Sequence, residues 1–386
     1  MSVHFALLSI GALFLIGLVA DILGRRTHVP RVTLLILAGL LIGPTGLDVL
    51  PSALEQWYEF LASAALTMVA FLLGGALSLD KLRDHGREIV IVSVAVVGGC
   101  AVIVGGGLWL MGVPVTMALL LAGISTATAP AATLDVVRQS GAKGQFPRLV
   151  LGCVALDDAW GLIAFSLLLV AAKMSNGDGA LHVLLGGLWE IGGAIAVGAG
   201  LGLPAAALTG RLRPGEPMQI EMLAVVFLCA GLAIWMGVSF LLAGMVCGMT
   251  VANLARHHDQ PFHEIENIEW PFMVLFFILA GASLHADGLD ELGMIVGLYL
   301  VLRVSARLLG GWAGGALAAV PAAERRWIGV ALMPQAGVAV GMALVAGNHF
   351  PELRQQLLSV TVATTIAFEI VGPILTQTAL ARTRSL

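Results

Sequence analysis

Runs of apolar residues about twenty long, the length that crosses the hydrocarbon core of a bilayer, recur from Val3 almost to the last residues. Short charged or Pro/Gly-rich breaks separate them. These runs predict helices near 3–24, 30–49, 59–79, 88–112, 116–138 and 145–173, then a long segment at 181–210. Further helices follow near 218–237, 239–256, 267–286, 291–319, 325–347 and 354–381. The fold class that follows is an all-α polytopic membrane protein with about thirteen transmembrane helices, one for each run of that length. The first run has no basic segment ahead of it and no small-residue cleavage site, so it reads as a retained helix and not as a signal peptide.

Basic residues gather on the cytoplasmic side of membrane proteins, which gives the helix order a separate check. Arg25, Arg26, Arg31, Lys81, Arg83, Arg87, Arg138, Lys143, Arg148, Arg211, Arg213, Arg256, Arg325, Arg326, Arg382 and Arg384 all fall in alternate loops. Lys173 and Arg354 fall on the other side, and Arg303 and Arg307 lie inside a helix. This asymmetry predicts an outside N-terminus and a cytoplasmic C-terminus. An odd helix count with opposite termini suits six helices, a linker, and an inverted copy of the six, a common transporter plan. Under that pairing the fifth and twelfth helices correspond, and each contains a polar, Pro-marked interruption: STATAPAAT with Pro130, and MPQAGVAVG with Pro334 and Gln335. Matched interruptions predict two crossed, discontinuous helices at the binding site, with Ser125, Thr126, Thr128 and Thr133 around the first break. The plain alternative is that both prolines only kink packed helices.

Composition narrows the class. Of 386 residues 59% are hydrophobic and 11% are charged, against roughly 25% charged in soluble domains, and the mean hydropathy is +0.96. The net charge of −4 is scattered over loops and single helical positions, so no nucleic-acid surface is expected. Cys100, Cys153, Cys229 and Cys247 lie within apolar segments without metal-ligand spacing, which predicts free buried thiols. The sequence carries no catalytic nucleophile motif, metal cluster or phosphate loop. An enzyme is therefore not expected, and no cofactor is.

The charges inside the membrane carry the chemistry. VALDDAWGLIAFSLLL places Asp157 and Asp158 near the middle of an apolar helix, where inserting one such charge costs roughly 2.5–3.5 kcal/mol. Neighbouring helical residues point about 100° apart, so one carboxylate can line a cavity while the other meets a partner. LYLVLRVSARLLGGWAGG supplies Arg303 and Arg307 one turn apart at comparable depth. Arg does not readily lose its proton, so a carboxylate or a half-helix C-terminus must neutralise each. Pairing Asp157 with Arg307 leaves Asp158 exchangeable, and a proton and a cation competing for one carboxylate is antiport. A static ion network that only holds helices together is the alternative. Glu369, in TTIAFEIVGPIL, is read either as a structural partner for Arg303 or backbone, or as a transport residue. Glu190 reads as a helix-pairing or interfacial residue. His257, His258 and His263, with Glu264, Glu266 and Glu269, read as a cytoplasmic loop, solvated or pH-sensing.

Seven segments in order, LAGLLIGPTGL, AFLLGGALSLDKLR, TATAPAATLDVVRQ, ALDDAWGL, FFILAGASL, SARLLGG and LMPQAGVAVGMAL, resemble the monovalent cation/proton antiporter superfamily, the sodium/proton exchanger fold. The resemblance spans nearly the whole chain. It implies a homodimer, with dimerisation or scaffold helices in 1–80 and 218–286. It also implies a mobile core in 88–173 and 291–381 that moves as an elevator, and a linker helix at 181–210. It gives Asp158 as the site of the cation or proton and Asp157 as the partner of Arg307. Asp157, Asp158, Thr126 and Thr128 are thus the candidate ion- and proton-binding residues. Arg303, Arg307, Glu369, Pro130, Pro334 and Gln335 support them.

Three departures are visible. Ala129 stands before Pro130 where many exchangers carry Asp, which leaves ion selectivity open. Arg307 stands where electrogenic members commonly carry Lys, which leaves stoichiometry open. The chain ends soon after its last apolar run, so the nucleotide-binding regulatory domain of glutathione-gated potassium efflux systems is not expected. The function expected is exchange of Na+, with K+ or Li+ as alternatives, for H+ across a bacterial-type inner membrane. A channel-like K+ efflux pathway and an ion-coupled organic solute carrier are the competing readings.

Overall fold

The computed structural model describes residues 3–27, 31–44, 46–49, 52–76, 86–142, 144–175, 180–209, 218–255, 259–282, 289–335 and 337–384. Among these residues fifteen α-helices follow one another, with no strand. They are α1 (Val3–Thr27), α2 (Arg31–Ile42), α3 (Ser52–Ala76), α4 (Gly86–Leu110), α5 (Val115–Ile124), α6 (Pro130–Ser140), α7 (Gln145–Ser175) and α8 (Ala180–Thr209). The second half holds α9 (Met218–Trp235), α10 (Phe240–Leu254), α11 (Asp259–Ala282), α12 (Leu289–Leu317), α13 (Ala322–Ala331), α14 (Gly337–His349) and α15 (Arg354–Arg384). Eight of them, α1, α3, α4, α7, α8, α11, α12 and α15, are long and apolar enough to cross a membrane, and α2, α5, α9, α10 and α14 are shorter apolar helices. Lys81, Arg83, Lys143, Arg211, Arg213, Arg256, His257 and His258 lie outside the described residues.

Two expected boundaries move for identifiable reasons. The second helix, expected to reach residue 49, ends at Ile42, because Gly43 precedes Pro44 and the residue before proline is pushed out of the helical region. The tenth, expected from 267, begins at Asp259. His263, Glu264, Glu266 and Glu269 are therefore helical and not in a loop. Acidic residues near a helix start are favoured by its dipole. Phe262, Ile265 and Ile268 recur at helical spacing, with Ile265 fully buried and Phe262 stacked on Phe71. A charged stretch that looks like a loop by polarity alone is thus one face of a helix.

Helix packing follows the rule that without hydrophobic drive between helices in lipid, small residues let backbones approach. α2 lies on α11 through Gly39 and Gly281: a β-carbon at Gly39 would fall 1.9 Å from the Ile278 carbonyl oxygen, and one at Gly281 would fall 2.1 Å from that of Ile36. α3 lies on α10 the same way, through Gly74 and Gly248. α4 packs along α12, and α12 meets α13 where Gly329 touches the Arg307 backbone. α7 packs against α4 and α5, and α15 against α12, α13 and α14. Between these two sets, α14 meets α3 and α11 differently. There Gly341 faces the Leu66 side chain and Gly337 faces the Phe277 ring.

Candidate functional site

Two helices are interrupted where the prolines stand. α5 ends at Ile124, residues 125–129 leave the helical path, and α6 starts at Pro130. Pro130 is the first residue of α6, a position where its missing N–H removes no intrahelical bond. It therefore starts a helix and does not kink one. In the second half α13 ends at Ala331, Leu332 to Gln335 are non-helical, and α14 begins at Gly337. Gly372 of α15 lies directly against Pro334, where a β-carbon would come within 2.6 Å of its Cα.

The C-terminal end of a helix carries roughly half a negative elementary charge, and two such ends, those of α5 and α13, stop inside the protein. Arg303 and Arg307, on one face of α12 and both fully buried, meet them. Arg303 donates from Nε to the Ser125 carbonyl (3.1 Å), from Nη2 to that of Ala127 (2.9 Å), and from Nη1 across to Met333 (3.0 Å). One guanidinium thus joins both interruptions, and its flat face lies 4.2 Å from the Phe368 ring centre. Arg307 donates from Nη2 to the carbonyls of Thr126 (2.6 Å), Ala127 (3.1 Å) and Ser125 (3.3 Å), and from Nη1 to Asp157 Oδ2 (3.0 Å). Two guanidinium charges are matched by Asp157 and two half-helix ends of about half a charge each.

The two aspartates have different surroundings, as the 100° offset requires. Both oxygens of Asp157 are engaged: Oδ2 by Arg307, and Oδ1 by the Ser93 hydroxyl of α4 at 2.5 Å. Asp158, 1% exposed, turns to the first break, where the backbone N–H and the hydroxyl of Thr128 both donate to its Oδ1 (2.9 and 3.0 Å). These two bonds fall on a single oxygen, beside the N-terminus of α6, whose partial positive charge favours an anion there.

The other residues singled out from the sequence are distributed around this centre. Thr126 reaches the site through its carbonyl, its hydroxyl being spent on Gly123. Gln335 is fully buried in the second break. Glu369 does not pair with Arg303. Its neighbour Phe368 covers that guanidinium, and Glu369 accepts a short hydrogen bond from the Thr33 hydroxyl of α2. Glu190 pairs helices, its carboxylate 2.6 Å from Lys173 Nζ. Ser93, Thr33 and Phe368 escaped the sequence reading. The first two are lone hydroxyls in apolar runs, a weak signal that only the depth of the acidic partner could have raised.

The sequence profile of the family described as sodium/hydrogen exchanger, transmembrane, matches residues 10–382. The chain belongs to that family, and is a cation/proton antiporter rather than an enzyme. It is 22% identical over 354 residues to an ammonium/H(+) antiporter subunit, AmhT, of Alkalihalophilus pseudofirmus, covering 89% of this chain and 84% of that protein. Another relative, the K(+)/H(+) antiporter NhaP of Alkalimonas amylolytica, is 25% identical over 203 residues, 52% of this chain and 35% of that one. Among solved structures, the sodium proton antiporter MjNhaP1 of Methanocaldococcus jannaschii superposes with a TM-score of 0.74 at 19% identity, over 100% of this chain and 97% of that one.

Proposed function

We propose that the protein exchanges a monovalent cation, Na+ or K+, for protons across a cell membrane, with Asp158 as the shared site. The observation that carries this reading is the asymmetry of the aspartate pair. Asp157 is saturated by Arg307 and Ser93, whereas the Thr128 bonds to Asp158 leave its second oxygen for a transported ion. A cation entering there would be met by the carboxylate and the Thr128 hydroxyl, and would displace the proton that neutralises the same oxygen pair. Ala129 brings no carboxylate to this break, so selectivity would rest on Asp158, Thr128 and backbone carbonyls.

In the same proposal α1–α3 and α9–α11 form a scaffold and dimer-forming unit, α4–α7 and α12–α15 a unit that moves as an elevator, and α8 the link. Counting α5 with α6 and α13 with α14 as single interrupted crossings gives thirteen, with the N-terminus outside and the C-terminus in the cytoplasm of an inner membrane. The backbone-close packing within each set and the side-chain-to-glycine packing between α14 and Leu66 or Phe277 support the division.

The test is proton movement in reconstituted vesicles carrying a trapped pH dye. Na+, K+ and Li+ added in turn should dissipate a preset pH gradient, and Asp158→Asn should abolish the response in folded protein. An active Asp158→Asn carrier refutes the assignment. Cation flux without proton movement would instead favour a channel-like pathway.

A further inference from the structure

Glu369 sits in the membrane-spanning part of α15, 4% exposed, with the Thr33 hydroxyl as its hydrogen-bond donor. What matters is what each partner is fastened to. On the α15 side, the preceding residue Phe368 lies on the Arg303 guanidinium, and Gly372, less than one turn further on, lies on Pro334. Glu369 is thus rigidly joined to both interrupted helices. On the α2 side, Arg31, two residues before Thr33, forms an ion pair with Asp21 of α1 at 2.9 Å and lies 5.0 Å over the Trp270 ring of α11. Further along, Gly39 of α2 and Gly43 just beyond its end rest on the backbone of α11. α2 is therefore fastened to α11 along its length and to α1 at its start. The bond joins two stiff bodies, one holding the ion site and the other not.

We propose that the Thr33–Glu369 hydrogen bond is a tie between these bodies that holds the arrangement seen here and breaks in each exchange cycle. The inference rests on the division into scaffold and moving unit given above. A hydrogen bond weakens steeply with a few tenths of an ångström and with misalignment, and neither stiff side can stretch to follow a displacement. The tie acts as a discrete contribution to the balance of two states, not as part of the ion site.

The experiment uses the full chain with its four cysteines replaced, Thr33→Cys and Glu369→Cys introduced, and a bifunctional thiosulfonate cross-linker applied in vesicles. Cross-linking should lower cation-dependent proton movement ten-fold or more, and dithiothreitol should restore it. Full cross-linking with an unchanged rate overturns the tie. Should the uncross-linked double variant already be inactive, Thr33→Val in the natural chain decides. Losing one net hydrogen bond shifts a two-state ratio by about five-fold, which appears as a change of that size in half-saturating cation concentration or maximal rate. Thr33→Ser should restore the parent values. Thr33→Val with both quantities unchanged overturns the proposal. A parent protein that moves no protons in response to any cation refutes the exchange reading itself, whereas an exchanging parent indifferent to the cross-link refutes the tie alone.

Discussion

Replacing Arg307 by alanine removes one hydrogen bond to Asp157 and three to the carbonyls of Ser125, Thr126 and Ala127, all fully shielded from solvent. Asp157 would keep only the Ser93 hydroxyl, so a buried carboxylate would lose the cation that neutralises it. Breaking a buried pair from one side costs about 3–5 kcal/mol, because the partner is stranded, while removing both sides costs much less. Arg307→Ala should therefore lower unfolding free energy by about that amount, measured by detergent-induced unfolding in mixed micelles. Arg307→Met combined with Asp157→Asn should recover at least half of the loss. The coupling between the two positions in a double-mutant cycle isolates their interaction from lost packing. Arg307→Lys tests geometry, since an ammonium keeps the charge but lacks the planar fork that reaches a carboxylate and several carbonyls together. An Arg307→Ala protein as stable as the parent, or a cycle with no coupling, would refute the argument that this pair neutralises buried charge.

Other substitutions probe separate links. Thr128→Val takes one of two hydrogen bonds from Asp158 and should weaken cation affinity about ten-fold or more, as bonds to charged groups are worth about 1.5–3 kcal/mol; Thr128→Ser should retain affinity, and unchanged half-saturation in Thr128→Val would contradict a role at the ion. Phe368→Ala removes the ring beneath Arg303 and should cost about 3–5 kcal/mol in unfolding experiments, with Phe368→Tyr near the parent. Gly248→Val would drive side-chain atoms into the Phe71 backbone, where even a β-carbon sits 1.9 Å from its carbonyl oxygen; it should prevent folding, as read by size-exclusion behaviour. Glu190→Gln should alter stability by about 1 kcal/mol or less, since Lys173 is 31% exposed and screened.

Much of the site could be read from the sequence because charge in an apolar run is costly enough to demand partners. Asp157, Asp158, Arg303 and Arg307 stand out for that reason, and Pro130 and Pro334 mark the breaks because they cannot continue a helix. What periodicity cannot supply is which carbonyls answer a guanidinium. Arg303 is held by backbone oxygens from two distant segments and an aromatic face, and no side-chain pattern announces that. The charged opening of α11 is hidden from a polarity reading for a related reason. His263, Glu264 and Glu266 look like a loop by polarity, while the apolar stripe of Phe262, Ile265 and Ile268 is short and easily missed. The cost of buried charge points to the aspartates, but it does not reveal Ser93 or Thr33, whose hydroxyls are inconspicuous until the helices that carry them are brought alongside an acid.

Arg303 takes hold of Ser125 and Ala127 in one interruption and Met333 in the other, and this makes a single side chain a rivet through the crossing. Prising the two broken helices apart would strip a buried guanidinium of its ligands, and an unpaired charge inside a membrane is costly. Parting the two broken helices would therefore carry a cost set by this fastening. In the exchange proposed for Asp158, that cost favours moving the fastened crossing as one piece.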